Sequence, residues 1–287
     1  MLELRDLSVF IQTNNSEKEV VSHVNLTVPQ GKIVGIVGES GSGKSMLCNA
    51  IMQLFRQNRR YTGDIVYKGT SLLAKSEREM RHLRGKEISL IMQNPMAMFN
   101  PIVKIGDHFV ETLQSHERIS KHNARKRAAE QLARFQLPEE ELLDRYPHEL
   151  SGGMLQRIMI ALAACMQPNL LIADEPTTAL DTMTQMDILD ELLHFHQKTK
   201  TSMLIVSHDL GVIAKMADFI VVMRRGVIVE YGPAEWILAQ PAHSYTQALL
   251  AARDEHGDLE KLADSWEGTT IGPLYEYKPG CWVREEG

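Results

Sequence analysis

Cysteine is scarce in this chain, with three in 287 residues. Cys48, Cys165 and Cys281 lie far apart and form no CxxC pair. This spacing excludes a disulfide framework and argues against a zinc or iron–sulfur site. It is typical of a protein kept in the reducing cytoplasm.

The sequence also lacks a long apolar run. The longest, residues 158–166, ends at Gln167-Pro168, whereas a membrane-spanning helix needs about 20 predominantly apolar residues. The N-terminal segment MLELRDLSVF is charged and lacks the basic-then-apolar pattern of a signal peptide. We expect a chain that does not cross a membrane but can dock on a protein that does.

Positive charge is not in excess either. The chain has 31 Lys and Arg against 37 Asp and Glu, a net charge of −6. This balance gives no indication of nucleic acid as a partner.

Short apolar runs and helical patterns alternate along the chain. The runs are 33–37, 88–92, 170–173 and 203–206, which are typical of strands buried on both faces of a parallel sheet. Helical patterns, such as 46–55 and 187–197, lie between them and predict an α/β fold. Additional strands are expected in a smaller antiparallel layer and a hairpin, at 23–28, 65–68, 219–223 and 227–230.

Two regions depart from this alternation. Residues 101–166 are rich in helical patterns, including a charged helix at 121–135, and we interpret them as a helical insertion. From residue 240 the pattern loosens. We therefore predict a domain at 1–239 and a C-terminal extension at 240–287.

One segment matches the phosphate-binding pattern GxxxxGK[ST] between a predicted strand and a predicted helix. Glycines let backbone N–H groups turn toward phosphate oxygens, and the helix N-terminus adds partial positive charge. We expect Lys44 to reach the β- and γ-phosphates and the Ser45 hydroxyl to bind Mg²⁺. The residues of this phosphate loop are Gly38, Glu39, Ser40, Gly41, Ser42, Gly43, Lys44 and Ser45.

Three further side chains end predicted strands and point to hydrolysis. Asp174 and Glu175 follow the run 170–173, and we expect Asp174 to lie beside the phosphate loop and hold Mg²⁺. Glu175 is suited to act as general base on the attacking water. His208 follows the run 203–206 and is a candidate to contact the γ-phosphate or that water, with a capping or surface role as the alternative.

Leu150-Ser151-Gly152-Gly153-Met154 resembles the LSGGQ signature of ABC-type ATPases, with Met154 in place of the usual Gln. Ser151 and the two glycines precede a predicted helix at 154–164, which gives a second phosphate-binding helix end. In that family the signature grips the γ-phosphate of ATP held by the other subunit. The resemblance therefore implies the P-loop NTPase fold and a pair of ATPase domains joined by ATP.

The resemblance assigns further roles. Gln93 resembles the Q-loop glutamine that senses Mg²⁺ and the transporter, Asp181 in Ala179-Leu180-Asp181 resembles the D-loop, and His208 resembles the switch histidine. Phe10 is the nearest candidate for the aromatic residue that stacks on adenine, with Ile11 as the alternative occupant of that position. The implied Mg²⁺ ligands are Ser45, Gln93 and Asp174.

The wider sequence favours transport. A DNA-repair or chromosome-type ATPase of the same superfamily usually carries a long coiled coil or a zinc-bearing insertion, and a GTPase switch needs an NKxD motif; the sequence shows none of these. Residues 240–250, QPAHSYTQALL, resemble the HPYTxxLL segment of oligopeptide, dipeptide and nickel importers. IMQNPMAMFNP at 91–101 and SGGMLQR at 151–157 resemble the nickel-import ATP-binding subunit, so nickel or a metal chelate is the predicted cargo and a peptide the alternative.

This resemblance also implies the assembly. We expect a second ABC ATPase subunit, non-identical or identical, beneath two membrane permease subunits that work with an extracytoplasmic substrate-binding protein. The chain would then lie at the cytoplasmic face of the membrane, with residues 101–166 and the Gln93 region receiving the permease.

Overall fold

The computed structural model describes residues 1–12, 16–54, 56–178, 180–254 and 272–285. The chain forms two compact units. The first comprises residues 1–76 and 202–287, and the second comprises residues 77–201.

A four-stranded antiparallel sheet lies in the first unit, in the order β2-β1-β4-β5. The antiparallel layer expected from the sequence is present, but β1 was not predicted. Its alternation breaks between Leu4 and Leu7, where the register with β2 shifts and Asp6 adopts a positive φ of 48°. The strands are β1 (Leu2–Gln12), β2 (Glu17–Val28), β4 (Arg59–Tyr67) and β5 (Thr70–Ser71).

The second sheet of this unit is built around β3. It has the order β11-β12-β10-β9-β3-β8, with β3 parallel to both β8 and β9. Every residue of β3 and β8 is buried, as expected for central strands of a parallel sheet. The strands are β3 (Ile33–Val37), β8 (Ser202–Val206), β9 (Phe219–Arg224), β10 (Val227–Pro233), β11 (Leu274–Lys278) and β12 (Cys281–Arg284).

The α-helices among the described residues of the first unit are α1 (Lys44–Ile51), α9 (Leu210–Met216), α10 (Ala234–Ala239) and α11 (Ser244–Asp254). The helix predicted at 46–55 begins two residues earlier, and its predicted last residue lies outside the described residues. The region after residue 240 is more regular than its sequence pattern indicated. It contains α11, and β12 extends the sheet by pairing with β10, with Glu230 opposite Val283.

The second unit has one parallel strand pair, β6 (Ile88–Ile91) and β7 (Leu170–Asp174), in which Ile91 is opposite Ala173. The charged helix predicted at 121–135 is α5; it buries Ala124, Ala128 and Leu132 on one face. The helices are α2 (Glu77–Leu83), α3 (Pro95–Met98), α4 (Ile105–His116), α5 (Lys121–Arg134), α6 (Glu139–Leu143), α7 (Gly152–Ala164) and α8 (Thr182–Thr199).

No helix within the described residues has the length and apolar character that a membrane span requires.

One buried carboxylate stands out in the second unit. Glu191 on α8 is 7% exposed, and its Oε1 lies 3.5 Å from Nη1 of Arg157 on α7. Neither carboxylate oxygen makes a hydrogen bond within the described residues. Burial raises the pKa of Glu191 from 4.5 to about 7; the Arg157 charge opposes this rise and the Asp187 charge adds to it. The folded protein therefore holds this proton more tightly than the unfolded chain, so stability is lost as the pH rises from about 4.5 to about 7.

We expect Glu191→Gln to remove the loss of stability at higher pH, because the amide carries no charge. Arg157 keeps its ion pair with Asp187 at 3.2 Å. The variant should be more stable than the parent by roughly 1–2 kcal/mol near pH 8, and the gain should vanish near pH 4. Thermal unfolding across this pH range measures the difference. Glu111→Gln, at an exposed position of α4, is the control, and a gain that does not change with pH would contradict the assignment.

Candidate active site

The phosphate loop, residues 38–45, connects β3 to α1 in the first unit. A Cβ at Gly38 would lie 2.1 Å from the carbonyl oxygen of Met223, so no side chain fits there. Gly43 caps α1 with φ of 101°, a conformation that favours glycine. Both positions need glycine for the chain to turn this tightly.

Lys44 is only 4% exposed, and its ammonium group lies on the inner side of the loop. Nζ donates to the carbonyl oxygens of Gly38 at 2.7 Å and Glu39 at 2.8 Å. The N-cap of α1 is Gly43, which has no side chain to cap the helix. A buried ammonium beside an uncapped helix N-terminus fits the phosphates of a nucleotide.

Backbone hydrogen bonds attach the phosphate loop to the β9–β10 hairpin. The N–H of Gly226 donates to the carbonyl of Ser42 at 2.9 Å, and the carbonyl of Gly226 accepts from the N–H of Ser22 at 2.8 Å. The turn of the hairpin thus joins the loop to β2.

His208 lies at the same edge of the sheet as the phosphate loop. Val206, the last residue of β8, is opposite Ile36 of β3, so the carboxyl ends of these two parallel strands coincide. His208 is exposed, and the cap of α9 is Asp209, whose Oδ1 accepts from the N–H of Gly211 at 2.7 Å. Asp209 therefore caps α9, and the capping role given above as an alternative for His208 does not apply.

In the second unit the structure brings Gln93 and Glu175 together. Nε2 of Gln93 and Oγ1 of Thr178 each donate to Oε2 of Glu175 at 2.8 Å. Glu175 follows β7 with a positive φ of 48°, which few residues other than glycine adopt, whereas Asp174 ends the strand at 9% exposure. Two donors on one oxygen fix the orientation of this carboxylate. Sequence reasoning missed Thr178, whose only signal is its place three residues after Glu175.

The signature segment forms the start of α7. Ser151 is the N-cap, and its Oγ accepts from the N–H of Met154 at 3.3 Å. The helix begins at Gly152, two residues before the predicted start, because the capping serine sets the first turn. Gly152 has open space around its Cβ position, whereas a Cβ at Gly153 would lie 3.2 Å from Cγ2 of Thr184.

Asp181 is the N-cap of α8. Its two carboxylate oxygens accept from the N–H of Thr184 at 3.0 Å and from the Thr184 hydroxyl at 2.7 Å. These hydrogen bonds lower the pKa of Asp181. Capping alone accounts for an aspartate at this position, and its predicted D-loop role stays a prediction. Ala179 lies outside the described residues.

Phe10 on β1 already contacts a cation. The guanidinium carbon of Arg60 lies 3.8 Å from the centre of the Phe10 ring, and Arg60 also pairs with Glu17 at 2.7 Å. One face of the ring is therefore in contact with Arg60. That Phe10 stacks on adenine stays a prediction.

The predicted Mg²⁺ ligands have suitable chemistry. Ser45, Gln93 and Asp174 offer hydroxyl, amide and carboxylate oxygens, the donors that Mg²⁺ prefers. Within the part of the chain that is described, no group of three or more His, Cys, Asp or Glu side chains could hold a metal ion. Mg²⁺ bound with nucleotide phosphates usually takes only one or two carboxylates, so the residues present fit this ion.

Comparison with known proteins bears on the class of this site. The family model described as "ABC transporter" matches residues 21–178. The oligopeptide transport ATP-binding protein OppD of Bacillus subtilis is 45% identical over 255 residues, covering 88% of this chain and 71% of OppD. The dipeptide transport ATP-binding protein DppD of Haemophilus influenzae is 39% identical, covering 98% and 86%.

Two further relatives extend this set. The metal-staphylopine import system ATP-binding protein CntD of Staphylococcus aureus is 41% identical, covering 85% of this chain and 90% of CntD. The dimeric post-hydrolysis structure of the ATP-binding cassette MJ0796, bound to ADP and Pi, superposes with a TM-score of 0.74 at 27% identity. It covers 82% of this chain and 99% of that chain.

The chain belongs to the ABC transporter family. It is an ATP-hydrolysing subunit of an ABC importer, in the group of peptide, dipeptide and metal-chelate import proteins. The predicted fold class is confirmed. The predicted closeness to the nickel-import subunit is not confirmed, since these relatives are named for peptides, dipeptides and a metal–staphylopine chelate.

Proposed function

We propose that this chain hydrolyses Mg-ATP to power the import of oligopeptides or dipeptides through a membrane permease. The observation that carries the hydrolytic part is the Glu175 carboxylate, which the Gln93 amide and the Thr178 hydroxyl hold in one orientation. The observation that carries the cargo is the 45% identity to an oligopeptide transport subunit.

In this proposal the phosphate loop binds the nucleotide. The backbone N–H groups of residues 38–45 and the α1 N-terminus receive phosphate oxygens, and Lys44 exchanges its carbonyl partners for the β- and γ-phosphates. Ser45, Gln93 and Asp174 hold Mg²⁺, which, when bound, neutralises charge on those phosphates.

Glu175 acts as the general base. An ionised carboxylate beside the γ-phosphate accepts a proton as water attacks, and a fixed orientation spares the cost of arranging it in the transition state. His208 is proposed to contact the γ-phosphate or the attacking water. Its exposure, at the edge of the sheet where the loop lies, supports this role.

Two substitutions separate binding from hydrolysis. Lys44→Ala should weaken ATP binding at least tenfold, because the loop loses its only side-chain cation. Glu175→Gln should keep ATP binding but slow hydrolysis roughly 100-fold or more, as expected when a general base is lost. Nucleotide titration and phosphate release measure the two effects. Unchanged ATP affinity in Lys44→Ala, or a normal hydrolysis rate in Glu175→Gln, would refute the assigned role.

The same proposal extends to the assembly. Ser151, Gly152 and Gly153 bind the γ-phosphate of ATP held by a second ABC ATPase subunit, which we propose is a non-identical relative, with a homodimer as the alternative. The dimeric MJ0796 structure with ADP and Pi supports pairing in this fold. The proposed system also contains two permease subunits and a substrate-binding protein, and this chain lies at the cytoplasmic face of the membrane. We keep in this proposal the division of the chain into a domain at 1–239 and a C-terminal extension at 240–287.

Ser151 also caps α7, so its two roles must be told apart. Ser151→Ala should cost about 1 kcal/mol of stability through the lost cap and should also abolish ATP-induced pairing of subunits. Ser120→Ala is a matched control, since Ser120 caps α5 by accepting from the N–H of Asn123 at 3.2 Å. Each serine change is made in the Glu175→Gln protein, and sedimentation with ATP, in the presence and absence of the second ATPase subunit, reports pairing. If the Ser151→Ala and Ser120→Ala variants pair equally well, Ser151 only caps α7 and does not bind the γ-phosphate.

A metal chelate is the second candidate cargo, because CntD is 41% identical and named for metal–staphylopine import. Nickel or a nickel chelate, the cargo predicted from the residues at 91–101 and 151–157, belongs to this second class. The reconstituted transporter should raise its ATPase rate severalfold with di- or oligopeptides and binding protein. Stimulation only by nickel or by a metal–staphylopine complex would reject the peptide proposal.

A further inference from the structure

The segment after residue 240 is anchored to β10 through a buried carboxylate. Glu230 is fully buried and accepts hydrogen bonds from the N–H of Ala242 at 2.8 Å and of His243 at 3.2 Å. A carboxylate that receives two backbone donors in the interior holds this turn of the chain rigidly. The start of α11 is thereby fixed relative to the sheet that carries β3.

The anchored residue His243 in turn makes a hydrogen bond with Tyr245. His243 is also fully buried, and its Nδ1 accepts from the N–H of Tyr245 at 3.0 Å. An accepting Nδ1 places the ring proton of a neutral imidazole on Nε2. The first turn of α11 therefore has little freedom to rotate, and Tyr245 is only 1% exposed.

The Tyr245 hydroxyl reaches the phosphate loop. Its oxygen accepts from the backbone N–H of Glu39, the second residue of the loop, at 3.3 Å. Burial raises the pKa of Tyr245 to about 12, so the hydroxyl stays neutral at physiological pH. A contact 206 positions apart in sequence thus joins the C-terminal segment to the loop.

A buried arginine lies beside both Tyr245 and Glu39. Arg224 is fully buried, with its guanidinium carbon 4.9 Å from the centre of the Tyr245 ring and its Nε 3.8 Å from Oε1 of Glu39. It directly follows Met223, whose carbonyl oxygen limits position 38 to glycine. Arg224 and Tyr245 therefore contact both the side chain and the backbone of Glu39.

We propose that Tyr245 and Arg224 are positioning residues for the phosphate loop, so that ATP affinity depends on the C-terminal segment. This proposal rests on the proposed function, in which the loop binds ATP. A loop already held in its binding conformation loses less conformational entropy when the ligand arrives. The hydroxyl of Tyr245 fixes the peptide group of Glu39, from which the following loop residues 40–45 turn toward the phosphates.

Deleting one hydroxyl tests the proposal. Tyr245→Phe keeps the ring beside Arg224 but removes the acceptor for the Glu39 N–H. In the full chain we expect the Kd for Mg-ADP to rise about threefold to tenfold, the change expected for one hydrogen bond. Amide exchange of the peptide covering residues 38–45 should become faster, while kcat at saturating ATP should change less than about twofold.

Tyr231→Phe is the matched control. The Tyr231 hydroxyl donates to the carbonyl of Thr27, also at 3.3 Å, in the same unit but not at the loop. This variant should leave the Mg-ADP Kd and the exchange of residues 38–45 within about twofold of the parent. Nucleotide titration and hydrogen exchange on both proteins make the comparison.

Three outcomes would overturn the proposal. One is an equal Kd in Tyr245→Phe and Tyr231→Phe; another is a raised Kd without faster exchange at residues 38–45. The third is faster exchange spread equally over α11 and β10, which would show a general loss of structure. Lys44→Ala separates these from a failure of the proposed function: if it leaves Mg-ADP binding intact, the loop itself is not the nucleotide site.

Discussion

The backbone contact between Gly38 and Met223 depends on the parallel pairing of β3 with β9, and the rest of the candidate site follows from it. Because β9 lies beside β3 in register, the carbonyl of Met223 stands where a side chain at position 38 would be. Because Gly38 has no Cβ, the backbone can turn directly from β3 into the phosphate loop. Burial of all five residues of β3 supplies the stability that holds this tight turn.

Several residues of the candidate site also stabilise the fold. Ser151 and Asp181 cap α7 and α8, so the positions that resemble signature and D-loop residues are also those where helix starts need an oxygen acceptor. Glu175 differs, since it caps none of the helices described above and two side-chain donors share one of its carboxylate oxygens. This fixed orientation supports the proposed role of Glu175 as general base.

Much of the fold could be predicted from the sequence. The strands β3 and β8 consist of apolar and small residues, as does β7 up to Asp174, so their burial could be predicted. The polar residues at or just after their ends were the candidates for the site. The strand β1 was missed because its alternation breaks at Asp6. The sheet addition by β12 was missed because its pairing with β10, in which Val283 lies opposite Glu230, joins residues far apart in sequence. The contacts of Glu175 with Gln93 and of Glu39 with Tyr245 join residues 82 and 206 positions apart, which no local pattern encodes.

The hydrogen bond between Glu39 and Tyr245 also has a consequence for how the protein is made. During synthesis the phosphate loop leaves the ribosome long before position 245, and Glu230, which anchors the turn before α11, also comes late. A nascent chain therefore cannot complete this contact until nearly all of the described sequence has been translated. A chain truncated before α11 has the loop residues but lacks the Tyr245 hydroxyl that accepts from the N–H of Glu39.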